Sequence, residues 1–299
     1  QISANQLQVD SSLEAINRIA QVTKFQGRNL LDGSLDFIVD AVPATVENLE
    51  ILQANLGTNT SLDVDVSIST AAEQAELNVS VAAGTGTVLS DDLVVQISGA
   101  DGAEVFTFDS GASVTQVVSA INLVSDATGV TATNTGGLLE LDSSAYGENA
   151  FVAVEVISEG SLGGFDTALG GTYRDEGADI VATVNGVQAN GDGNKLSLDT
   201  ATLDVEITVE DGSSTAFSFE IQGGGAVFQL GPEVVSNQQA RIGIGSFYTG
   251  KLGGSSGRLY QLRSGENAAL DTNTTLGAEI VDEVITEVTS LRGRLGAFQ

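Results

Sequence analysis

The middle of the chain alternates apolar and polar residues over short runs, and this pattern limits it to half-buried antiparallel strands. Leu62–Ile68 reads Leu-Asp-Val-Asp-Val-Ser-Ile, and Leu203–Val209 repeats the same two-residue period. Successive side chains of a strand point to opposite faces, so this period places one face on a core and the other in water. The dipeptides Asn185-Gly186, Asn190-Gly191 and Asp211-Gly212 predict the turns between such strands.

Both ends of the chain have a helical period instead. One helix is predicted between Ile2 and Val22, with Leu7 and Ile19 beside its main apolar stripe, and another from Leu276 to Leu295. The residues predicted to pack on the two helix faces are Leu13, Ile16, Val284, Val288, Leu291 and Leu295. Each stripe also fits the core-facing surface of an ordinary domain. Because both stripes run to the chain ends without caps, we expect helices that are cut short.

One predicted helix interrupts the strands. Ser113 and Gln116 form a capping-box pattern, an apolar stripe runs from Val114 to Val124, and Gly129 ends the helix. Strands are predicted on both sides of it, at Leu93–Ser98, Val105–Phe108, Leu138–Leu141 and Phe151–Ile157. The segment therefore predicts a compact strand-strand-helix-strand-strand unit.

The charge of the chain is concentrated in its middle. Residues 31–240 hold two basic side chains, Arg174 and Lys195, against 32 Asp and Glu, whereas the two ends hold nine basic against eight acidic side chains. Nucleic acids and anionic lipids require clustered Lys and Arg, so this balance argues against both as partners. Like charges repel when surfaces pack, so we expect the balanced ends to assemble and the middle to face solvent. An acidic domain with incidentally balanced ends fits the same charges.

The chain contains no cysteine and no histidine. Disulfides, thiolate chemistry, the commonest general base and the commonest transition-metal ligand are therefore excluded. We expect no catalytic site, no cofactor and no metal site. No apolar stretch approaches the roughly 18 residues of a membrane helix, and the amino end lacks the basic-then-apolar order of a secretory signal, so we expect no membrane insertion.

Four segments of the chain resemble bacterial flagellins. Ala4–Gly33 (ANQLQVDSSLEAINRIAQVTKFQGRNLLDG) resembles the second helix and following turn of the flagellin core domain, and Ile280–Gln299 (IVDEVITEVTSLRGRLGAFQ) resembles the start of the returning core helix. Asp92–Ile157, which includes SAINLVSDATGVTA, is similar to the hook IN motif of many flagellins. Phe228–Ile244 (FQLGPEVVSNQQARIGI) is also flagellin-like.

The resemblance implies an α+β fold. Its parts are a discontinuous core domain with truncated terminal α-helices and a β-hairpin, and a β-rich inserted outer region that contains one short helix. Residues 1–57 and 222–299 are expected to form the core domain, and residues 58–221 the variable outer domain, with the hook IN motif at about 92–157. The family's extreme terminal helices and first long core helix are missing, so we expect a fragment that is monomeric by itself.

The function that the resemblance implies is that of a structural subunit of the bacterial flagellar filament, exported to the outside of the cell and self-assembling by helix packing for motility. The implied partners are other flagellin subunits, an export chaperone and the filament cap. Arg263, Arg292 and Arg294 are expected to pair with acidic residues of neighbouring subunits. Solvation, or a helix-end interaction of about 0.3–1 kcal/mol, explains the same arginines.

Two other function classes stay open at this stage. One is a cell-surface adhesin or glycan-binding protein with residues 58–221 as its binding module, which the acidic surface and the absence of Trp disfavour. The other is an enzyme inserted in the same region. Carboxylates for a glycosidase-like acid and base are abundant, but no pattern singles out a pair.

Three local motifs suggest ligands. Gly245–Lys251 has the spacing of a phosphate-binding loop, but Leu252 stands where a magnesium-binding Ser or Thr belongs. Asn190–Asn194 brings oxygen ligands together, but the EF-hand register fails and a hairpin turn is the better interpretation. Asp91 and Asp92 fit a weak calcium site or, more simply, a solvated acidic face.

Overall fold

The computed structural model describes residues 2–25, 27–57, 59–80, 89–229, 231–233, 238–254 and 256–298. These residues form a strand-rich α+β protein with few helices, in line with the predicted class. The helices are α1 (Ile2–Val22), α2 (Val114–Asn122), α3 (Ser125–Thr128), α4 (Phe165–Leu169) and α5 (Thr274–Phe298), together with a 3-10 helix at Leu259–Leu262. No helix in the described ranges is both long and apolar enough to span a membrane.

The strands are β1 (Lys24–Phe25), β2 (Arg28–Asn29), β3 (Asp32–Leu35), β4 (Phe37–Asp40), β5 (Val46–Ala54), β6 (Leu62–Thr70), β7 (Glu76–Ser80), β8 (Leu93–Gly99), β9 (Ala103–Phe108), β10 (Val130–Thr135), β11 (Leu138–Ser143), β12 (Phe151–Glu159), β13 (Arg174–Glu176), β14 (Val181–Val184), β15 (Val187–Gln188), β16 (Asn190–Asp192), β17 (Lys195–Asp199), β18 (Leu203–Val209), β19 (Phe217–Gly224), β20 (Ala226–Gln229), β21 (Gln239–Ile242) and β22 (Ile244–Ser246).

The chain divides into two compact units. We call the first the helical unit; it comprises residues 1–65, 198–207 and 218–299. We call the second the strand unit; it comprises residues 66–197 and 208–217. The assignment of residues 1–57, 58–221 and 222–299 to flagellin-type domains stays a prediction.

The strand unit is built around two antiparallel sheets and helix α2. One sheet has the order β13-β12-β8-β9, and the other has the order β10-β11-β7. The alternating side chains of β8 are buried at every second residue, from Leu93 to Gly99, which is the burial that a two-residue period predicts. The core gathers apolar residues from both sheets and from α2, including Ile97, Ile121, Leu139 and Val152.

Helix α2 begins as its sequence predicts. The Ser113 hydroxyl accepts a hydrogen bond from the Gln116 amide at 3.3 Å, and the Gln116 side chain accepts one from the Ser113 amide at 2.8 Å. This reciprocal arrangement pairs two amides that the first helical turn leaves free. The predicted single helix is split, however: α2 ends at Asn122, and the short α3 follows, ends at Thr128 and is capped by Gly129 in the left-handed conformation.

Two predictions in the strand unit are wrong in detail. Strand β10 comprises Val130–Thr135, where no strand is predicted. Only its first and third residues are buried, so the segment lacks a sustained alternation of apolar and polar residues. The dipeptide Asn190-Gly191 is part of β16 rather than a turn, and the hairpin reverses at Gly193 and Asn194 instead. A Cβ on Gly191 would lie 2.0 Å from the carbonyl oxygen of Ile180, so this glycine permits a close backbone approach and not a reversal.

The other turn predictions in this unit are confirmed. Asn185 and Gly186 connect β14 to β15 with φ angles of 50° and 77°, as a two-residue hairpin loop requires. Asp211 and Gly212 form a turn in which Gly212 has a φ of 67°.

The helical unit combines short strands with the two longest helices. Strand β5 lies between β18 and β21, and β20 pairs with β21 in antiparallel orientation. Helix α1 covers the predicted range, and α5 extends the predicted one by a few residues at each end. A small apolar core of this unit contains Leu13, Leu252, Leu259, Leu262, Ala268, Ile280 and Val284.

Candidate surface for subunit assembly

The candidate functional site is the surface of α1 and α5, because the residues predicted to join subunits lie there. Leu13 and Val284 are buried within the chain's own core, where they contact residues of the 3-10 helix region. Leu291 is also buried, and Ile16 is half-buried against the same cluster. The burial of these four side chains is therefore explained within the chain, and their role between subunits stays a prediction.

The remaining predicted residues have different surroundings. Val288 was predicted on the same face as Val284, but it is 37% exposed, and Arg292 is exposed as well. Val288 follows Val284 by four residues, over which a helix turns by about 400°, or about 40° more than one full turn. Residues spaced in this way therefore move progressively away from a narrow contact with the core. The side chains of Arg294 and Leu295 lie outside the described residues.

Helix α5 carries a second apolar stripe. Val281 is half-buried, Ile285 is 56% exposed, and Val288 follows three residues later on the same flank. This stripe continues to Arg292, so an aliphatic surface ends in a cation. Ile285 was not among the residues predicted for assembly, although its spacing from Val281 and Val288 was visible in the sequence.

Helix α1 also leaves apolar side chains in solvent. Leu7, Ile19 and Val22 are 70%, 56% and 64% exposed, whereas Gln6, Leu13 and Ala20 are buried at seven-residue intervals. Given about 100° per residue, Val22 lies opposite the buried line, and Leu7 and Ile19 lie about 120° from it on either side. Both helices thus have more apolar surface than the chain covers.

Polar side chains hold α1 in position along its buried line. The Gln6 side chain donates to the carbonyl of Leu262 at 2.8 Å and accepts from the amide of Leu270 at 2.9 Å. The Asn17 amide group donates to the Thr249 hydroxyl and accepts from the Thr249 amide. These bonds satisfy polar groups that would otherwise be buried without partners, and they specify one register for the helix.

The residues directly after the segment with phosphate-loop spacing contact α5. Strand β22 ends at Ser246, a turn follows at Thr249–Lys251, and the backbone amides beyond it point at carboxylates of α5. The amide of Gly253 donates to Glu287 at 3.1 Å, and the amide of Gly254 donates to Glu283 at 3.0 Å. Burial raises the pKa of Glu287, as do Glu50 and Glu283, whereas the Gly253 amide and Arg258 lower it.

A cluster of three carboxylates lies in the strand unit. Glu76 on β7 is opposite Asp142 on β11, and oxygen atoms of these two residues and Glu140 all lie within 4.8 Å of one another. Burial raises the pKa of Asp142 to about 6, with further contributions from Glu140 and Glu76. Three like charges at this distance repel, which makes the cluster an electrostatic cost to the sheet at neutral pH.

The aspartates considered for calcium are engaged by backbone amides. Asp91 accepts hydrogen bonds from the amides of Asp92 and Leu162, and Asp92 accepts one from the amide of Ser110. These bonds lower the pKa of Asp91. Both side chains therefore hold loop conformations.

A family model matches part of the strand unit. The flagellin hook IN motif matches residues 95–145, within the predicted range of about 92–157. The matched segment contains most of β8, all of β9, α2, α3, β10 and β11, and the capping box at Ser113. No curated protein matches the chain.

Several solved structures of flagellar cap proteins are similar to parts of the chain. The cap protein FliD D2-D3 domains from Serratia marcescens are 21% identical with a TM-score of 0.36, covering 57% of this chain and 97% of that one. The D2-D3 domains from Escherichia coli are 17% identical with a TM-score of 0.40, covering 62% and 97%. FliD from Bdellovibrio bacteriovorus is 10% identical with a TM-score of 0.40, covering 62% and 99%. At these TM-scores the likenesses carry no weight in assigning a function.

The motif match covers a minority of the chain and lies wholly within the strand unit. The strand unit thus contains a segment, residues 95–145, that matches the flagellin hook IN motif.

Proposed function

We propose that the protein is a structural subunit of the flagellar filament and that α1 and α5 contribute to its contacts with neighbouring subunits. The hook IN match at residues 95–145 is the observation that carries this proposal, because it links the chain to flagellins by sequence. The protein then has no substrate, and its chemistry is the burial of apolar surface.

The surplus apolar surface of the two helices supports this function. Ile285 and Val288 on α5, and Ile19 and Val22 on α1, are each more than a third exposed. Burying a fully exposed side chain of this kind is worth roughly 1.5–3 kcal/mol. These side chains are 37–64% exposed, so each contributes a corresponding fraction to assembly when a neighbour covers it. The near balance of charge at the two ends of the chain lowers the repulsion between packed copies.

Filament elongation tests the proposal. The full-length product of the gene that contains these residues is incubated with short, fluorescently marked filament seeds, and electron microscopy measures the added length. We expect elongation from the seeds. Binding confined to filament ends without elongation, or no binding at all, would contradict the role of a filament subunit.

A pair of matched variants locates the contact. We expect Ile285→Asp combined with Val288→Asp to abolish elongation, because two carboxylates would be buried in an apolar contact. The control combines Leu123→Asp with Ile157→Asp, which are 82% and 52% exposed in the strand unit, and should elongate normally. Circular dichroism of both variants must match the wild-type spectrum. Equal elongation by the two double variants would show that α5 is not part of the contact.

A further inference from the structure

We propose that Glu283 and Glu287 form a carboxylate latch that sets the rotation and register of α5 on a glycine-rich loop, and that the latch thereby positions the exposed stripe of Ile285 and Val288. The loop consists of Gly253, Gly254, Ser256 and Gly257 among the described residues. The positional consequence for assembly rests on the proposed filament function, whereas the latch itself is a property of the single chain.

The hydrogen bonds define the latch. Glu283 accepts from the amide of Gly254 at 3.0 Å through one carboxylate oxygen. Its other oxygen accepts from the amide and the hydroxyl of Ser256, at 3.2 and 2.9 Å. One turn later, Glu287 accepts from the amide of Gly253 at 3.1 Å. Four donors of one loop therefore converge on two carboxylates of one helix, and hydrogen bonds to a charged acceptor are stronger and more directional than neutral ones.

The loop is shaped to present these donors. Gly253 and Gly257 have φ angles of 123° and 147°, which side chains rarely allow. A Cβ on Gly253 would lie 2.2 Å from the carbonyl oxygen of Gly257, and a Cβ on Gly254 would lie 2.9 Å from the Glu283 carboxylate. Arg258 also holds the loop, since its guanidinium donates to the carbonyls of Lys251 and Gly253.

The helix by itself gains nothing from this pair of glutamates. Like charges four residues apart on a helix repel, and Glu287 is additionally withdrawn from water. Apolar residues at these positions would contact the loop without such a cost, but apolar contacts tolerate sliding and rotation. A carboxylate pair is satisfied in one register only, because a shift of one residue rotates the helix by about 100° and removes both glutamates from the loop amides.

The latch lies beside the stripe that it is proposed to position. Glu283 and Glu287 are half-buried, whereas Ile285 and Val288, one or two residues further along, are exposed on another flank of the same two turns. Fixing the rotation of α5 at the loop therefore fixes the direction in which Ile285 and Val288 face. Fixing the contact surface in advance lowers the entropy that assembly must remove.

The test compares three versions of the full-length protein with the wild type. They are Glu283→Ala with Glu287→Ala, Glu283→Gln with Glu287→Gln, and a control with Glu279→Ala and Asp282→Ala, two exposed acidic residues of the same helix. Hydrogen exchange measures the protection of the Gly253, Gly254 and Ser256 amides, and circular dichroism measures helix content. We expect at least a tenfold loss of protection in the alanine pair, a smaller loss in the glutamine pair, which keeps acceptor oxygens, and none in the control.

Helix content should be equal in all four proteins, and this separates a latch from general support of the helix. Unchanged protection of the three amides in the alanine pair, or protection lost together with helix content, would overturn the latch. Seed elongation is then measured for the same proteins, and we expect the order wild type, glutamine pair, alanine pair. If exchange follows that order and elongation does not, the positioning of the stripe is wrong. If wild-type protein itself fails to elongate seeds, the proposed function fails, and the exchange result still decides the latch.

Discussion

The strand unit and the region around α1 and α5 of the helical unit bury their residues in different ways. Among the described residues, one continuous cluster of the strand unit contains twenty buried apolar side chains, drawn from both sheets and α2. The cluster around α1 and α5 contains seven, and it is supplemented by hydrogen bonds from Gln6 to Leu262 and from Asn17 to Thr249.

The two regions differ in how much of their apolar surface the chain itself covers. The alternating strands place most of their apolar residues on one face, and the chain itself covers that face, although single residues such as Val105 and Ile157 stay exposed. The helices carry apolar residues on more of their circumference than the chain covers, as the exposure of Ile19 and Ile285 illustrates. We therefore expect the strand unit to depend on apolar volume, and the packing of α1 and α5 within the helical unit to depend on polar anchors as well.

The largest expected effect concerns the apolar core of the strand unit. Ile121 on α2 is 1% exposed, so Ile121→Ala should lower the free energy of unfolding by about 2–5 kcal/mol through lost burial and a cavity. Hydrogen exchange of β8 and β12 amides in the full chain would measure it. Leu123→Ala is the matched control, since this leucine is 82% exposed, and its effect should stay within about 0.5 kcal/mol. Equal effects would refute the idea that this unit depends on its apolar core.

A smaller effect is expected from a polar anchor of the helical unit. Gln6→Ala leaves the Leu262 carbonyl and the Leu270 amide without the partner they have now, which should cost about 2 kcal/mol of local stability. The exchange rate of the Leu270 amide reports this change. Gln8→Ala, at an exposed position of the same helix, should leave that rate unchanged. An unchanged rate in the Gln6 variant would mean that α1 is held by its apolar contacts alone.

The smallest effect concerns the pH dependence of the strand unit. In the folded chain the pKa of Asp142 is raised to about 6 from 3.8, mainly by burial and then by Glu140 and Glu76. A raised pKa means that the folded state keeps a proton which the unfolded chain has released. The stability from this group is therefore complete below about pH 4 and is lost as the pH rises through about 6.

The variant Asp142→Asn removes this titration. At about pH 8 it should be more stable than the wild type by roughly 1 kcal/mol, a value reduced for the partial exposure of the side chain. At about pH 4 the two proteins should be equally stable, and thermal unfolding at both pH values measures the difference. Glu104→Gln, at an exposed position of β9, serves as the control. A pH-independent gain would trace the effect to packing and not to charge.

The sequence predicted most elements of the strand unit because their signals are local. The period of Leu93–Gly99, the capping box of Ser113 and Gln116, and the turn at Asn185-Gly186 each depend on residues that are neighbours in the chain. Asn190-Gly191 has the same local signal as a turn, but Gly191 serves the approach of Ile180 from another segment. Local patterns cannot distinguish these two reasons for a glycine.

The candidate assembly surface was less predictable. Both helices and most of their apolar residues follow from the sequence, but the separation of Val284 into the core and Val288 into solvent depends on how α5 is rotated against Leu259 and Leu262. The loop amides held by Glu283 and Glu287 lie about 30 residues away along the chain. A local sequence window contains neither relationship.

By itself, the sequence determined the strand-rich middle with its one capped helix, the two amphipathic terminal helices, the division of charge between middle and ends, and the hook IN motif. These features follow from backbone periodicity, local hydrogen bonding and composition. The tertiary structure decided which apolar residues of α1 and α5 remain in solvent and which carboxylates accept hydrogen bonds from a loop. It also decided that burial and neighbouring carboxylates raise the pKa of Asp142. Those outcomes depend on contacts between residues that are distant in the chain, where burial and electrostatics act only after the fold has brought them together.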